Sequence, residues 1–268
     1  MRKLFTKEQE DFMINNYLSM EYKEIGEILG FTERQIRGRL NNMGYTKNRK
    51  INYDYFNNID TPLKAYFLGY IYADGYIVYN KQKRNYEFAM ELQSEDSYIL
   101  ERLNSELGGL NIISTKAPEK RMICNNMCQK HETKLLRIYS KDLVENLIKN
   151  GIETNKTQKI IYPVVNDNLF FDFLRGYIDG DGCFWKYKNH YYMHITCASK
   201  EPLEYIKNEL LKYNIITHLY KETDKKYRLM CVNIKEMKKL VTHIYYEDGL
   251  LCLCRKFEKV KYYLGFAA

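Results

Sequence analysis

Nine residues recur in this chain. FLGYIYADG runs from Phe67 to Gly75, and LRGYIDGDG runs from Leu174 to Gly182, with Asp181 placed 107 residues after Asp74. Thr61 and Pro62 read as a capping threonine and a first-turn proline, and Gly75 as the stop after Asp74, which predicts a helix of about three turns. Gly69 and Ala73 then lie four apart on one face, and Gly176 and Gly180 hold the matching positions of the second copy. Such faces have almost nothing to pack except another backbone, so the two helices are expected to pack on each other.

Asp74 and Asp181 follow directly after those faces, at helix C-termini, where the macrodipole disfavours negative charge. Two carboxylates gathered there repel unless a proton or cations lie between them. A divalent cation with oxygen ligands answers this, and Mg2+ typically shares one or two carboxylates with a phosphate. A glycine-capped helix with a solvated Asp would explain a single copy. The repeated Gly-Tyr-Ile and the repeated Asp-Gly instead indicate an internal duplication.

These segments resemble the two motifs of a single-chain LAGLIDADG homing endonuclease. Phe67 to Gly75 and Leu174 to Gly182 stand in for the name motif, and its essential acidic residue falls on Asp74 and Asp181. The first copy has Tyr72 where the name has an earlier Asp, and the second has Asp179, a position that varies in the family. The resemblance implies an α+β fold of two αββαββα units, whose antiparallel sheets form a saddle that straddles DNA.

The rest of the chain supports a duplicated unit. With 268 residues it has enough length for a sizeable core. Strands are expected over Tyr76–Tyr79 and Tyr86–Leu92, and again over Phe184–Lys188 and Tyr191–Cys197. Amphipathic helices at Leu100–Leu107 and Leu203–Leu210 answer one another. Strands around Leu135–Tyr139 and Tyr227–Val232 follow, then helices Lys141–Lys149 and Ile234–His243. Ser114–Lys134 enlarges the first half and carries Lys116, Lys120, Arg121, Lys130 and Lys134; it suits an extended DNA-contacting hairpin or a variable loop.

A net charge of +8 and 26 tyrosines suit a polyanionic partner. Sheets rich in Lys, Arg, Tyr, Asn and Gln can read base edges in the major groove. Candidate readers are Lys81, Lys83, Arg84 and Asn85 at the first turn, and Lys186, Lys188 and His190 at the second; a solvated, charged edge is the plainer account of each. Two further basic residues resemble those bordering each active site in the family: Lys156, after Gly151-Ile152, and Lys256, after Leu253 and Arg255. They are candidates for stabilising charge or organising solvent near the scissile phosphate.

Residues 1–46 lie outside the duplication. Helices are expected over Thr6–Tyr17 and Glu21–Leu29, with Gly30 making the turn and Thr32 and Gln35 forming a capping box for a third helix lined by Ile36, Leu40 and Met43. Arg34, Gln35, Arg37, Arg39 and Asn41 occupy its outer face, as DNA-contacting side chains would. The arrangement resembles a helix-turn-helix, although small trihelical packing modules share the pattern. Residues 47–60 read as a linker, with Lys47, Arg49 and Lys50 disposed to lie along a DNA backbone. The duplicated halves are then 61–165 and 166–268.

Seven cysteines without a regular framework fit a reducing compartment. Cys124, Cys128 and His131 lack an evident fourth zinc ligand, and Cys252 and Cys254 suit small apolar positions. No stretch is long and apolar enough for a membrane span, and no signal-peptide core is evident, so a soluble intracellular protein is expected. Heavy use of Lys, Asn, Ile and Tyr fits an AT-rich genome and points to the cytoplasm of a bacterium or a phage-infected bacterium, with an organelle as the alternative. The implied activity is metal-dependent cleavage of double-stranded DNA by a monomer at a long, asymmetric site. An RNA-splicing maturase and a non-cleaving transcription regulator are the rival readings.

Overall fold

The computed structural model describes residues 5–43, 45, 51–123, 126–152, 165–188, 190–224 and 226–264. The chain divides into two units, Met1–Lys50 and Ile51–Ala268.

The first unit holds α1 (Lys7–Asn16), α2 (Tyr22–Leu29) and α3 (Glu33–Asn42). Thr6 and Thr32 cap α1 and α3 in reciprocal boxes with Gln9 and Gln35. Gly30 ends α2 in the left-handed region, with φ of 72°, a conformation open to glycine at little cost. Met13, Ile25, Ile36 and Leu40 are fully buried and form the core with Tyr22 and Phe31.

In the larger unit the expected order recurs twice. The first half runs α4 (Pro62–Asp74), β1 (Gly75–Asn80), β2 (Asn85–Gln93), α5 (Ser97–Glu106), β3 (Ile113–Lys116), β4 (Glu119–Ile123), β5 (Asn126–Lys130), β6 (Thr133–Tyr139) and α6 (Lys141–Lys149). The second runs α7 (Phe170–Asp181), β7 (Gly182–Tyr187), β8 (His190–Cys197), α8 (Glu201–Lys212), β9 (His218–Thr223), β10 (Lys226–Cys231), α9 (Ile234–Ile244) and α10 (Cys254–Leu264). Each half contributes a four-stranded antiparallel sheet, β1-β2-β6-β3 and β7-β8-β10-β9. The enlarged stretch of the first half forms a separate two-stranded ribbon, β4 with β5. The helix α10 was not expected from the sequence pattern.

One apolar core joins both halves, from Tyr55 and Phe56 to Leu253 and Val260. At its centre α4 buries every residue from Ala65 to Tyr72, the mark of a helix enclosed on all sides. Ile77, Phe88, Met90, Leu136 and Ile138 of the first sheet and Phe184, Met193, Ile195 and Leu229 of the second are buried in the same core. The opposite face of each sheet is left for polar and aromatic side chains.

Candidate active site

The helices α4 and α7 meet backbone to backbone. A Cβ added at Gly69 would lie 2.0 Å from the Phe173 carbonyl oxygen and 2.9 Å from the Tyr177 nitrogen. The mirror contact is nearly identical: at Gly176 it would lie 1.9 Å from the Tyr66 oxygen and 2.9 Å from the Tyr70 nitrogen. All six positions pair with an offset of 107, so the contact has local two-fold symmetry. One rung further, a methyl on Gly180 would approach Ala73 Cβ to 2.2 Å, leaving room for a single methyl between the two helices. The four small residues singled out by spacing therefore all sit in this seam.

That symmetry brings the C-terminal ends of α4 and α7 side by side. Asp74 and Asp181 end the two helices and are exposed. Asp74 Oδ2 lies 3.2 Å from where a Cβ on Gly180 would stand, so its carboxylate leans across to the neighbouring helix, one residue from Asp181. The glycines that follow, Gly75 and Gly182, take extended backbone rather than the left-handed cap that helix-ending glycines often adopt. They are needed for closeness: a Cβ there would meet Ile71 O at 2.8 Å and Ile178 O at 2.5 Å.

Lys256 approaches the same end from behind. Its side chain is buried, and Nζ donates to the carbonyls of Ile178, Asp179, Gly180 and Gly182 at 2.5 to 3.1 Å. Burial pulls its pKa below the usual lysine value, and the Asp179 charge opposes that. An ammonium on the last carbonyls offsets the negative end of the helix dipole, where Asp181 sits. Lys156, the other basic candidate, lies outside the described residues, as do Lys47, Arg49 and Lys50.

Asp179 points away from this edge and is fully buried. Its Oδ2 accepts hydrogen bonds from Tyr66 Oη at 2.9 Å and from Leu253 N–H at 2.8 Å, while Oδ1 has no partner. Burial pushes its carboxyl up to about 6 against the pull of Leu253, Lys256, Tyr66 and Arg175. Among the described residues no cluster of three His, Cys, Asp or Glu side chains exists to hold a metal ion. Two exposed carboxylates remain, which suits Mg2+ completing its shell with water and phosphate oxygens. The side chains of Cys124 and Cys128 lie outside those described; Cys252 and Cys254 are free thiols, the second exposed.

The model of the LAGLIDADG-like domain matches residues 61–150 and 170–245. The chain belongs to the LAGLIDADG-like family. No curated protein sequence matches it. Solved structures with a similar fold include the homing endonuclease I-WcaI bound to its DNA recognition sequence, at 17% identity and a TM-score of 0.54 over 85% of this chain and 98% of that one. I-DmoI in complex with DNA and Ca is another, at 17% identity and 0.51 over 74% and 96%. A mutant of I-SmaMI is a third, at 14% and 0.50 over 77% and 90%.

Within this LAGLIDADG-like unit, the turn candidates Lys81, Lys83, Arg84 and Asn85 are exposed between β1 and β2. Lys186, Lys188 and His190 are exposed at the β7–β8 end, with Lys186 Nζ 5.0 Å from the Tyr191 ring centre. Arg84 and Lys188 both take the left-handed region, with φ of 49° and 53°. Strand alternation places further polar and aromatic residues on the open sheet faces, beyond those at the turns. On the first sheet Arg137 pairs with Glu87 at 2.9 Å and donates to Tyr76 Oη at 3.3 Å, and Glu91 accepts from Lys116, Lys130 and Thr133. On the second, Trp185 stacks on Tyr192 at 4.2 Å, and Arg228 pairs with Glu222 at 2.6 Å.

In the N-terminal unit, Arg34 and Asn41 are exposed. Gln35 Oε1 is occupied by the Thr32 N–H and hydroxyl. Arg37 pairs with Glu33 along the helix, and Arg39 ties α3 to Glu10 of α1. Three of the five predicted contact residues, Gln35, Arg37 and Arg39, thus serve local structure as well, and the Arg39–Glu10 tie across 29 positions is the one that local spacing does not reveal.

Proposed function

We propose that this protein is a site-specific endonuclease that hydrolyses one phosphodiester on each strand of double-stranded DNA, using Mg2+ or another divalent cation. The observation that carries this reading is the two-fold glycine seam, which brings Asp74 and Asp181 to one edge of the molecule. One chain supplies both carboxylates, so a monomer suffices.

Asp74 and Asp181 would hold the metal. A bound divalent ion there would generate a water nucleophile and stabilise charge on the phosphoryl oxygens. Lys256 holds positive charge against the end of α7, which lowers the cost of keeping Asp181 ionised beside Asp74. The open sheet faces supply cations and aromatic surface to the major groove, and their different side chains fit an asymmetric target. Residues 1–46 are assigned as a helix-turn-helix-like DNA-binding module, 47–60 as a basic linker, and 61–165 and 166–268 as the two halves. I-WcaI and I-DmoI, whose folds this chain shares, were solved with DNA, which supports the same partner here. Among the described residues no helix is long and apolar enough to cross a membrane, and a bacterial or phage-infected cytoplasm is the proposed setting.

Incubating the full chain with a randomised duplex library and Mg2+, then sequencing cleaved ends, tests this. A recurring long site cut on both strands is expected. Tight binding of a duplex that is never cut would make the protein a regulator instead.

A further inference from the structure

The second motif helix carries buried charges that the first lacks. Asp172, Arg175 and Asp179 stand where α4 has Ala65, Leu68 and Tyr72, and all three are at most 3% exposed. Their partners belong to one stretch of chain. Arg175 donates to Ile244 O at 2.9 Å and to Leu251 O at 3.1 Å, and pairs with Asp172, which also accepts from Tyr246 Oη. Asp179 takes the Leu253 N–H. The segment from Ile244 to Leu253 is therefore held at both ends by α7.

That segment delivers Lys256. The Leu253 carbonyl accepts the backbone N–H of Lys256 at 2.9 Å, which starts α10. From the first half, Tyr98 Oη donates to Cys252 O and accepts from Cys254 N–H, both at 2.8 Å, and Asp96 grips Arg255 through both carboxylate oxygens. Four consecutive residues, 252 to 255, are thus fixed from two sides before the Lys256 side chain begins. A lysine has a long, flexible stem and a strongly hydrated head, so its ammonium stays desolvated only where its backbone is held in place. Buried ionic groups contribute little net stability compared with apolar packing, and fixing one arrangement is a better-attested use.

We propose that Asp179, backed by Arg175 and Asp172, is a positioning residue that seats Lys256 on the end of α7 and thereby sets the rate of cleavage. The catalytic part of this inference rests on the nuclease reading above; the seating part does not.

Two measurements on the full chain test it. Amine acetylation followed by mass spectrometry should find Lys256 protected relative to exposed Lys81, and Asp179→Ala should raise its modification about tenfold. With a duplex recovered from the cleavage library, Asp179→Ala should lower kcat by about 10- to 100-fold, the loss usual for removal of an orienting partner, with duplex affinity unchanged. Asp179→Asn keeps an oxygen for the Leu253 N–H and should restore most of both. Tyr98→Phe loosens the same segment from its other side and serves if Asp179→Ala does not fold. Unchanged protection of Lys256 in a folded Asp179→Ala or Tyr98→Phe protein overturns the seating. Raised labelling with unchanged kcat overturns the link to cleavage. A library that yields no cut duplex defeats the nuclease reading and that link, while the acetylation arm still decides the seating.

Discussion

Gly69→Ala tests the helix seam with one methyl group. A methyl carbon and a carbonyl oxygen need about 3.3 Å between them, whereas the new Cβ would start 2.0 Å from Phe173 O. The obstacle is backbone, so α4 and α7 must separate locally by about 1.3 Å. Overpacking of this kind costs about 3 kcal/mol at the upper end of its usual range, offset by about 1 kcal/mol of helix propensity gained over glycine. A net loss of about 2 kcal/mol should lower the melting temperature of the larger unit by about 4 to 8 °C. Asp74 lies five residues on, about 7.5 Å along the axis, and displacement by about 1 Å at a reacting centre can cost about 100-fold in rate. Thermal melting and single-turnover cleavage would measure both. Gly176→Ala should match it, and the double variant should lose less than the sum, because helices already parted admit the second methyl more easily. Gly38→Ala is the control: nothing lies within 4 Å of its added methyl, so the smaller unit should gain up to about 1 kcal/mol. If Gly69→Ala melts no lower than wild type, the seam is not tight and the reasoning fails.

Other expectations concern the surface. Arg84→Gly relieves a left-handed arginine and should stabilise the larger unit by about 1 kcal/mol, while reducing the salt dependence of duplex binding by about one phosphate contact; an unchanged salt slope would remove Arg84 from the interface. Glu91 is raised by burial, yet hydrogen bonds from Lys116, Lys130 and Thr133 outweigh this and hold its pKa at about 2 against 4.5 for the free group. Because the folded value is the lower one, this stabilisation is present above pH 4.5 and is lost as pH falls towards 2. Glu91→Gln should therefore cost about 1 to 2 kcal/mol at pH 7, reduced by the partial exposure of both lysines, and little by pH 2, where the folded carboxyl is itself half protonated, as read from denaturant titrations. Removal of residues 1–50 should weaken duplex binding and flatten its salt dependence more than it slows cleavage of bound duplex; an unchanged footprint would show that the N-terminal unit does not touch DNA.

What could be read from the sequence was local or duplicated. The paired motif gave both helices, their small-residue seam and the two exposed aspartates, because helix spacing and a repeat each carry that information within a few residues. Hairpins and amphipathic helices followed from alternation and periodicity, and the Thr32–Gln35 box from a spacing of three. Other features depend on partners distant in sequence. Arg255 meets Asp96 across 159 positions and Arg39 meets Glu10 across 29, and no local pattern announces either. Lys256 was recognisable as a basic residue near the site, but its burial on four carbonyls depends on the path of residues 244–253. Asp179 occupies a motif position associated with acidity, yet it faces the core, where Tyr66 and the Leu253 N–H use its carboxylate.

The central claim is that Asp74 and Asp181 together cut both strands with a divalent metal. Single-turnover cleavage of a selected duplex, with the two strands labelled differently, tests it most directly when wild type, Asp74→Asn and Asp181→Asn are compared in Mg2+ and in EDTA. Either substitution, or EDTA, should abolish double-strand cleavage while the duplex is still bound. Cleavage of both strands at the wild-type rate by either variant, or by wild type in EDTA, would contradict the account.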